Sequence, residues 1–546
     1  TDQASTLTSG VLAALTSAQL NAMTTADVTV LTTDALSALS SAAIKGLTTV
    51  QMSLLDSLQI QALSTASVAA LSAAQIAAVT TDDVGQMTTA QIQAISSSNI
   101  GKLTTSQVAV LTSDQLNALS STQVAGLTVA QVGVLTTDQS SGLSSTMISA
   151  LSTKQLTVLN TADVAQLTSD ALAGLKSAQI KGLTTAQINA ISSAQIQGIG
   201  TSVLASLGTT QVVAITSTTL SQMTTDQIKS LSTQDVGSLT TTQVSALTTD
   251  QLNVLSSGQI SALNSAQIIA LTTDQASGLS SSVINALRAA QLSVMTTADV
   301  ASLSSDAIAA ITTNQTKSLS TDQIAALSSS QAKALTTADV ALLSTSQIKA
   351  LTTDAMAAMG TDQISAISNL SITKLTTAQM AALGSDQINA LTSSQVRALT
   401  TQEIVALTTD QAAALSTDVI HALAPSQIAS MQTQDFAALS TDAVAAIGSA
   451  QIKLIGSDLI AALTSDQITA LTTDDVVALS AIQIKAITTD AVAQLSTDQI
   501  AAIETADMAG LTTSQMAVLT SDQLNALSSA QLAGLSEAQI AAITVQ

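Results

Sequence analysis

Leu319-Ser320-Thr321-Asp322-Gln323-Ile324-Ala325-Ala326 is one octad of a repeat that runs the length of the chain without slipping. From Leu7 to Ile543 every eighth residue is Leu, Ile, Met or Val, 68 in succession, with no insertion or deletion. The consensus is L-[TS]-[TS]-x-[QD]-[IVL]-x-[AG], and its positions are numbered 1 to 8 from the leading apolar residue. Enzymes build their sites on irregular loops. An array that admits no irregularity consists of units stacking on a fixed lattice, and it reads as a building material.

One long helix does not fit the octad. At about 100° per residue, eight residues overshoot two turns by roughly 80°, so no constant apolar face survives. A β-solenoid fits no better, because positions 1 and 6 have opposite parity and would lie on opposite faces of a straight strand. A short helix restarted in every octad does fit. The Ser or Thr at position 2 precedes the Gln or Asp at position 5 by the spacing of a capping box. With position 2 as N-cap, the apolar residues at positions 1 and 6 become the two halves of a hydrophobic staple.

The rare residues obey that frame. The single proline, Pro425, falls at position 3, the first helical residue, where proline is best tolerated. Of 21 glycines, 15 occupy positions 8 and 2, read here as the helix end and the N-cap, where glycine costs least. The single Phe, Phe436, takes position 6, an expected core position, and basic residues such as Lys45, Lys229 and Arg397 take position 7, expected to face solvent. Helices this short are unstable alone. The sequence therefore predicts an all-α solenoid or superhelix of very short capped helices, one per 8-residue repeat, each burying its Leu and Ile against its neighbours.

Composition agrees. The chain has 546 residues, 46% of them hydrophobic, with no Trp, Tyr or Cys. Its mean hydropathy of +0.45 is too apolar for a disordered chain. A thin core of Leu, Ile, Val and Ala, repeated many times, needs no aromatic residues. The net charge of −22 argues against a nucleic-acid partner. No apolar run approaches the roughly 20 residues of a membrane span. Without cysteine there are no disulfides or thiolate metal sites, a composition common among proteins exported by Gram-negative bacteria.

A second period lies beneath the first. Leu111-Thr-Ser-Asp-Gln-Leu-Asn returns at Leu247, Leu383 and Leu519 with small changes, and Lys45, Lys181, Lys317 and Lys453 share the same 136-residue spacing. Seventeen octads thus form a super-repeat. The single array 1–546 divides into 1–136, 137–272, 273–408 and 409–544, with no linker between them. At position 6 a small residue recurs with this period, at Ala4, Ser140, Ala276 and Ala412, and elsewhere only Thr316 and Ala332 interrupt the apolar column. Duplication explains the period. A bolder reading makes each super-repeat one superhelical turn, with these four residues lining a column of close backbone approach. Residue 1 enters the octad at position 3 and Gln546 leaves it at position 4, without a polar capping unit. The expectation is a segment of a longer array, or one capped by copies of itself.

The chemistry available is sparse. His421, the single histidine, sits at the solvent position, and Ser or Thr nucleophiles lack a partner base. Asp82-Asp83 and Asp474-Asp475 could touch a cation, but the roughly six oxygen ligands and glycine turn of a calcium loop do not occur. Aligned Thr-Thr pairs raise an ice-binding ladder, set against their alternation with Ser and their capping role. No catalytic residue, cofactor or metal site is expected.

Tandem octads such as Leu183-Thr184-Thr185-Ala186-Gln187-Ile188-Asn189-Ala190 resemble very long, low-complexity surface or secreted proteins of Gram-negative bacteria, described as adhesin-like or filament-forming. The resemblance implies a structural extracellular or cell-surface protein with copies of itself as partners, as a self-assembling filament or as the rigid stalk of an adhesin. The cell surface or an extracellular matrix would be the other contact. No functional residue carries over.

Overall fold

The structure, a computed structural model, describes residues 1–543. Among them are 65 short α-helices and three 3-10 segments, with no strand. Contacts divide the chain into two units, residues 1–271 and 272 onward, each with the same internal construction.

Within a unit the octad is a start–stop device. In the helix Thr105–Ala109, Thr104 is the N-cap in extended conformation, and its hydroxyl accepts from the Gln107 backbone N–H at 3.1 Å. Gln107 Oε1 accepts in return from the Thr104 N–H at 2.7 Å, which completes the capping box. Four to seven residues later the chain leaves the helix, usually through an extended position 1 residue, and the next Ser or Thr caps the next helix. Pro425 is the first residue of Pro425–Ile428, as its fixed φ and missing N–H demand.

Positions 1 and 6 are buried along most of the array, and Phe436 is fully buried at position 6. Coverage is directional. In the first turn Leu12 and Leu20 at position 6 are fully buried, whereas position 1 residues Leu7 and Leu15 are half-exposed. In the last turn described the order reverses: Leu535 at position 1 is buried, and Leu532 and Ile540 at position 6 are 43% and 48% exposed. Each turn's position 6 is therefore covered by the turn that follows it. Lys45, Lys229, Arg397 and His421 at position 7 are all exposed.

Helices pack on the helix three octads further on, as Ser57–Ala62 does on Thr81–Gln86 in the first unit and Ser329–Ala334 on Thr353–Ala358 in the second. Side chains also bond to backbone 28 and 31 residues back. One turn thus takes about 28 residues, or three and a half octads, so each helix sits over a junction between two helices of the turn beneath. This corrects the reading of a super-repeat as one turn, since seventeen octads make almost five. Within the first unit Ser140 is therefore not stacked on Ala4 by a consecutive turn, nor within the second is Ala412 on Ala276.

Candidate functional site

The most developed feature of the described chain is a ladder of buried glutamines at position 5. Gln75, 3% exposed, accepts from the Ser72 N–H at 2.9 Å through Oε1. Its Nε2 donates to the carbonyls of Ile44 at 2.9 Å and Leu47 at 2.8 Å. Those carbonyls belong to the short 3-10 segment Ile44–Gly46 and its C-cap Leu47 one turn back. The Ile44 carbonyl also accepts from the Leu47 N–H, and the glutamine adds a donor at this helix end, where backbone donors run out. A single side chain therefore closes the N-terminus of its own helix and the C-terminus of another. The pattern recurs in both units, for instance from Gln187 to Leu156 and Leu159, and from Gln427 to Val396 and Leu399. Sequence reasoning found the cap but missed this second role, because the amide nitrogen's partners lie in another turn.

Aspartate at position 5 accepts but cannot donate. Asp83 Oδ2 caps with the Thr80 hydroxyl at 2.6 Å, and its Oδ1 accepts from the Ser57 hydroxyl at 2.7 Å on the turn beneath. Asp475 is held likewise by Thr472 and by Ser449. The Asp82-Asp83 and Asp474-Asp475 pairs are thus structural at their second member. Among the described residues no group of three or more His, Cys, Asp or Glu could hold a metal ion.

The small residues at position 6 find their counterpart here. Thr316 Oγ1 donates to Asp339 Oδ1 at 2.9 Å, which places position 6 beside position 5 of the helix 23 residues on. In that register Ala4 faces Asp27, Ser140 faces Asp163, Ala276 faces Asp299, Ala412 faces Asp435 and Ala332 faces Ala355. In none of the six is the opposing residue Gln. Ser329–Ala334 and Thr353–Ala358, which carry Ala332 and Ala355, form the most extensive helix contact in the described chain. Close packing at the small residues is thus a contact between adjacent turns. The signal was present in the sequence as covariation at that same separation. Ser140 Oγ and Asp163 Oδ1 are both buried without a partner, and burial pushes the Asp163 carboxyl above its ordinary range against the Asn160 hydrogen bond.

Glycine roles also differ from the sequence expectation. None has positive φ among the described residues, so none acts as a left-handed helix stop. At position 8 the reason is steric: a Cβ on Gly174 would collide with the Ser145 carbonyl oxygen, and one on Gly46 with that of Ser17. At position 2 there is room, as around Gly200 and Gly456.

His421 lies in an open, shallow surface depression with Asn389, Arg397 and Asp418. Another surface depression, beside Lys453 and Glu504, is lined by Asp474, Val477 and Asp507. No helix among the described residues is long and apolar enough to cross a membrane.

The family model described as the ALTTAQ repeat matches residues 55–89, 81–113, 108–145, 169–201, 228–265, 244–281, 333–369, 372–401, 393–425, 428–473, 468–502 and 500–537, more than half of the chain. No curated protein matches significantly.

Proposed function

The chain belongs to the ALTTAQ repeat family, and from that premise we propose that it is a structural protein whose array forms, or is the subunit of, a self-assembling filament on or outside a bacterial cell. The observation that carries this reading is the ladder. Along most of each unit, a turn presents buried glutamine donors to the turn before it and carbonyl acceptors to the turn after it. Such a head-to-tail contact does not close on itself, and contacts of that kind generate open filaments. The exposed Asp at position 4, as at Asp322 and Asp362, give the outer surface a net negative charge that favours solubility over lateral clumping.

Negative-stain electron microscopy of the purified chain across a concentration series tests the proposal. Uniform fibres that lengthen with concentration are expected. Isolated rods of one length would replace the filament by the rival reading, the rigid stalk of a cell-surface adhesin.

A further inference from the structure

Position 5 carries ten acidic residues, nine of them Asp and the tenth Glu403. Aspartate is one methylene shorter than Gln, and its second oxygen typically finds a donor on the preceding turn. That donor is the Thr409 hydroxyl for Asp435 at 2.7 Å, Thr316 for Asp339 at 2.9 Å, and the Ala481 N–H for Asp507 at 2.7 Å. Glu403 has the full length of Gln. Its Oε2 accepts from the Thr400 N–H at 2.6 Å and the Thr400 hydroxyl at 3.0 Å, as a ladder Gln does through Oε1. The other oxygen, Oε1, takes the place of the amide nitrogen, and it is buried without a partner.

The neighbouring rungs show what surrounds that oxygen. Gln395 donates to the carbonyls of Ile364 and Ile367, and Gln411 to those of Met380 and Leu383, always 31 and 28 residues back. The same register sets the carbonyls of Ile372 and Leu375 before Glu403 Oε1. An ionised carboxylate would turn lone pairs toward lone pairs in a buried site, which is costly. A carboxyl proton on Oε1 converts the repulsion into the missing rung.

We propose that Glu403 is a proton-binding site, held as the neutral acid with Oε1–H donating to the Leu375 and Ile372 carbonyls, and that its ionisation opens this one joint of the ladder. Burial is the main cause pushing the carboxyl above its ordinary 4.5, while the Thr400 hydrogen bonds and the Lys374 charge pull it down. The helices Thr377–Ala382 and Pro425–Ile428, which pack against Thr401–Val405, bring no charged side chain. Lys374, beside the two carbonyls in sequence, is the cation to be tested. The sign is definite. Above 4.5 the folded chain keeps a proton that the unfolded chain has released, so this joint weakens as pH rises through the raised value.

Amide hydrogen exchange over residues 367–405 of the full chain, at about pH 4 and about pH 8, compares wild type with Glu403→Gln, Glu403→Ala and Lys374→Met, each corrected for intrinsic exchange. Glu403→Gln restores the consensus residue, so it will fold. Its protection should match wild type at the lower pH and exceed it by about tenfold at the higher. Glu403→Ala, lacking charge and donor alike, should be less protected than Glu403→Gln at both. A wild-type to Glu403→Gln difference unchanged between the two pH values overturns the proposal. So does loss of wild-type protection in Lys374→Met, which would mean an ion pair holds the joint.

Discussion

Two successive stretches of the first unit are built from the same octad and joined in different ways. In residues 103–142 five consecutive position 5 residues, Gln107, Gln115, Gln123, Gln131 and Gln139, each reach back to carbonyls of the preceding turn. In residues 143–174 the corresponding positions are Met147, Gln155, Asp163 and Ala171, and of these Gln155 alone donates backward. Packing and a relayed cap take over. The Ser144 N–H, deprived of a Gln, donates to Asn117 Oδ1 at 2.8 Å, and Asn117 Nδ2 donates to the Gly142 carbonyl at 2.7 Å. The same exchange returns at Ser416, served by Asn389 at 2.9 Å, before Val419. The seventeen-octad period therefore encodes a local change of joint, from hydrogen-bonded to contact-packed. Turn stacking tolerates either chemistry where the buried polar groups of the junction are mostly satisfied or removed, with Ser140 Oγ and Asp163 Oδ1 left as the exceptions at this joint.

The comparison is broken most strongly by converting a hydrogen-bonded joint without compensation. Gln123→Leu takes the partner from the Ser120 N–H and the side-chain donor from three backbone carbonyls, of which that of Ile92 keeps the Ile95 N–H, and it should cost about 3 kcal/mol in chemical denaturation. Met147→Leu, volume-conserving at a contact-packed joint, should cost less than about 1.5 kcal/mol. Equal losses would show that the ladder contributes nothing beyond packing.

Next in size is the steric side of the contact-packed joint. Gly174→Ala drives a methyl group into the Ser145 backbone and should lower stability by about 2 kcal/mol. Gly360→Ala, with only the flexible Gln363 side chain 3.7 Å away, provides the control in the same thermal melts. A smaller effect, about 1 kcal/mol, is expected for Asn117→Ala, which unpairs the Ser144 N–H. A double-mutant cycle with Met147→Gln should recover most of it, because the new Gln caps Ser144 in the ordinary way. Additive losses would refute the relay. Smallest is Gly360→Ser, which supplies the missing N-cap hydroxyl and should raise stability by a few tenths of a kcal/mol.

Much of this molecule was legible in eight residues. Thr104 and Gln107 announce a helix start because a capping box is local, closed within four residues. Pro425, Phe436 and His421 fall where the frame puts them for the same reason. Helix start, helix stop, the buried pair at positions 1 and 6 and the solvent position 7 thus follow from the sequence itself. Tertiary structure alone decided the length of a turn, the backward half of the ladder glutamines and the purpose of Gly174 and Gly46. Each depends on which residues of another turn lie opposite, and that is set by how helices settle over the junctions beneath them. Three and a half octads is not a whole number of repeats, so the octad's own phase does not announce it. The seventeen-octad period misled for the matching reason. It records where the joints change along the chain, whereas the neighbours that give Ala4, Ser140, Ala276 and Ala412 their meaning stand less than three octads away, one layer up in the coil.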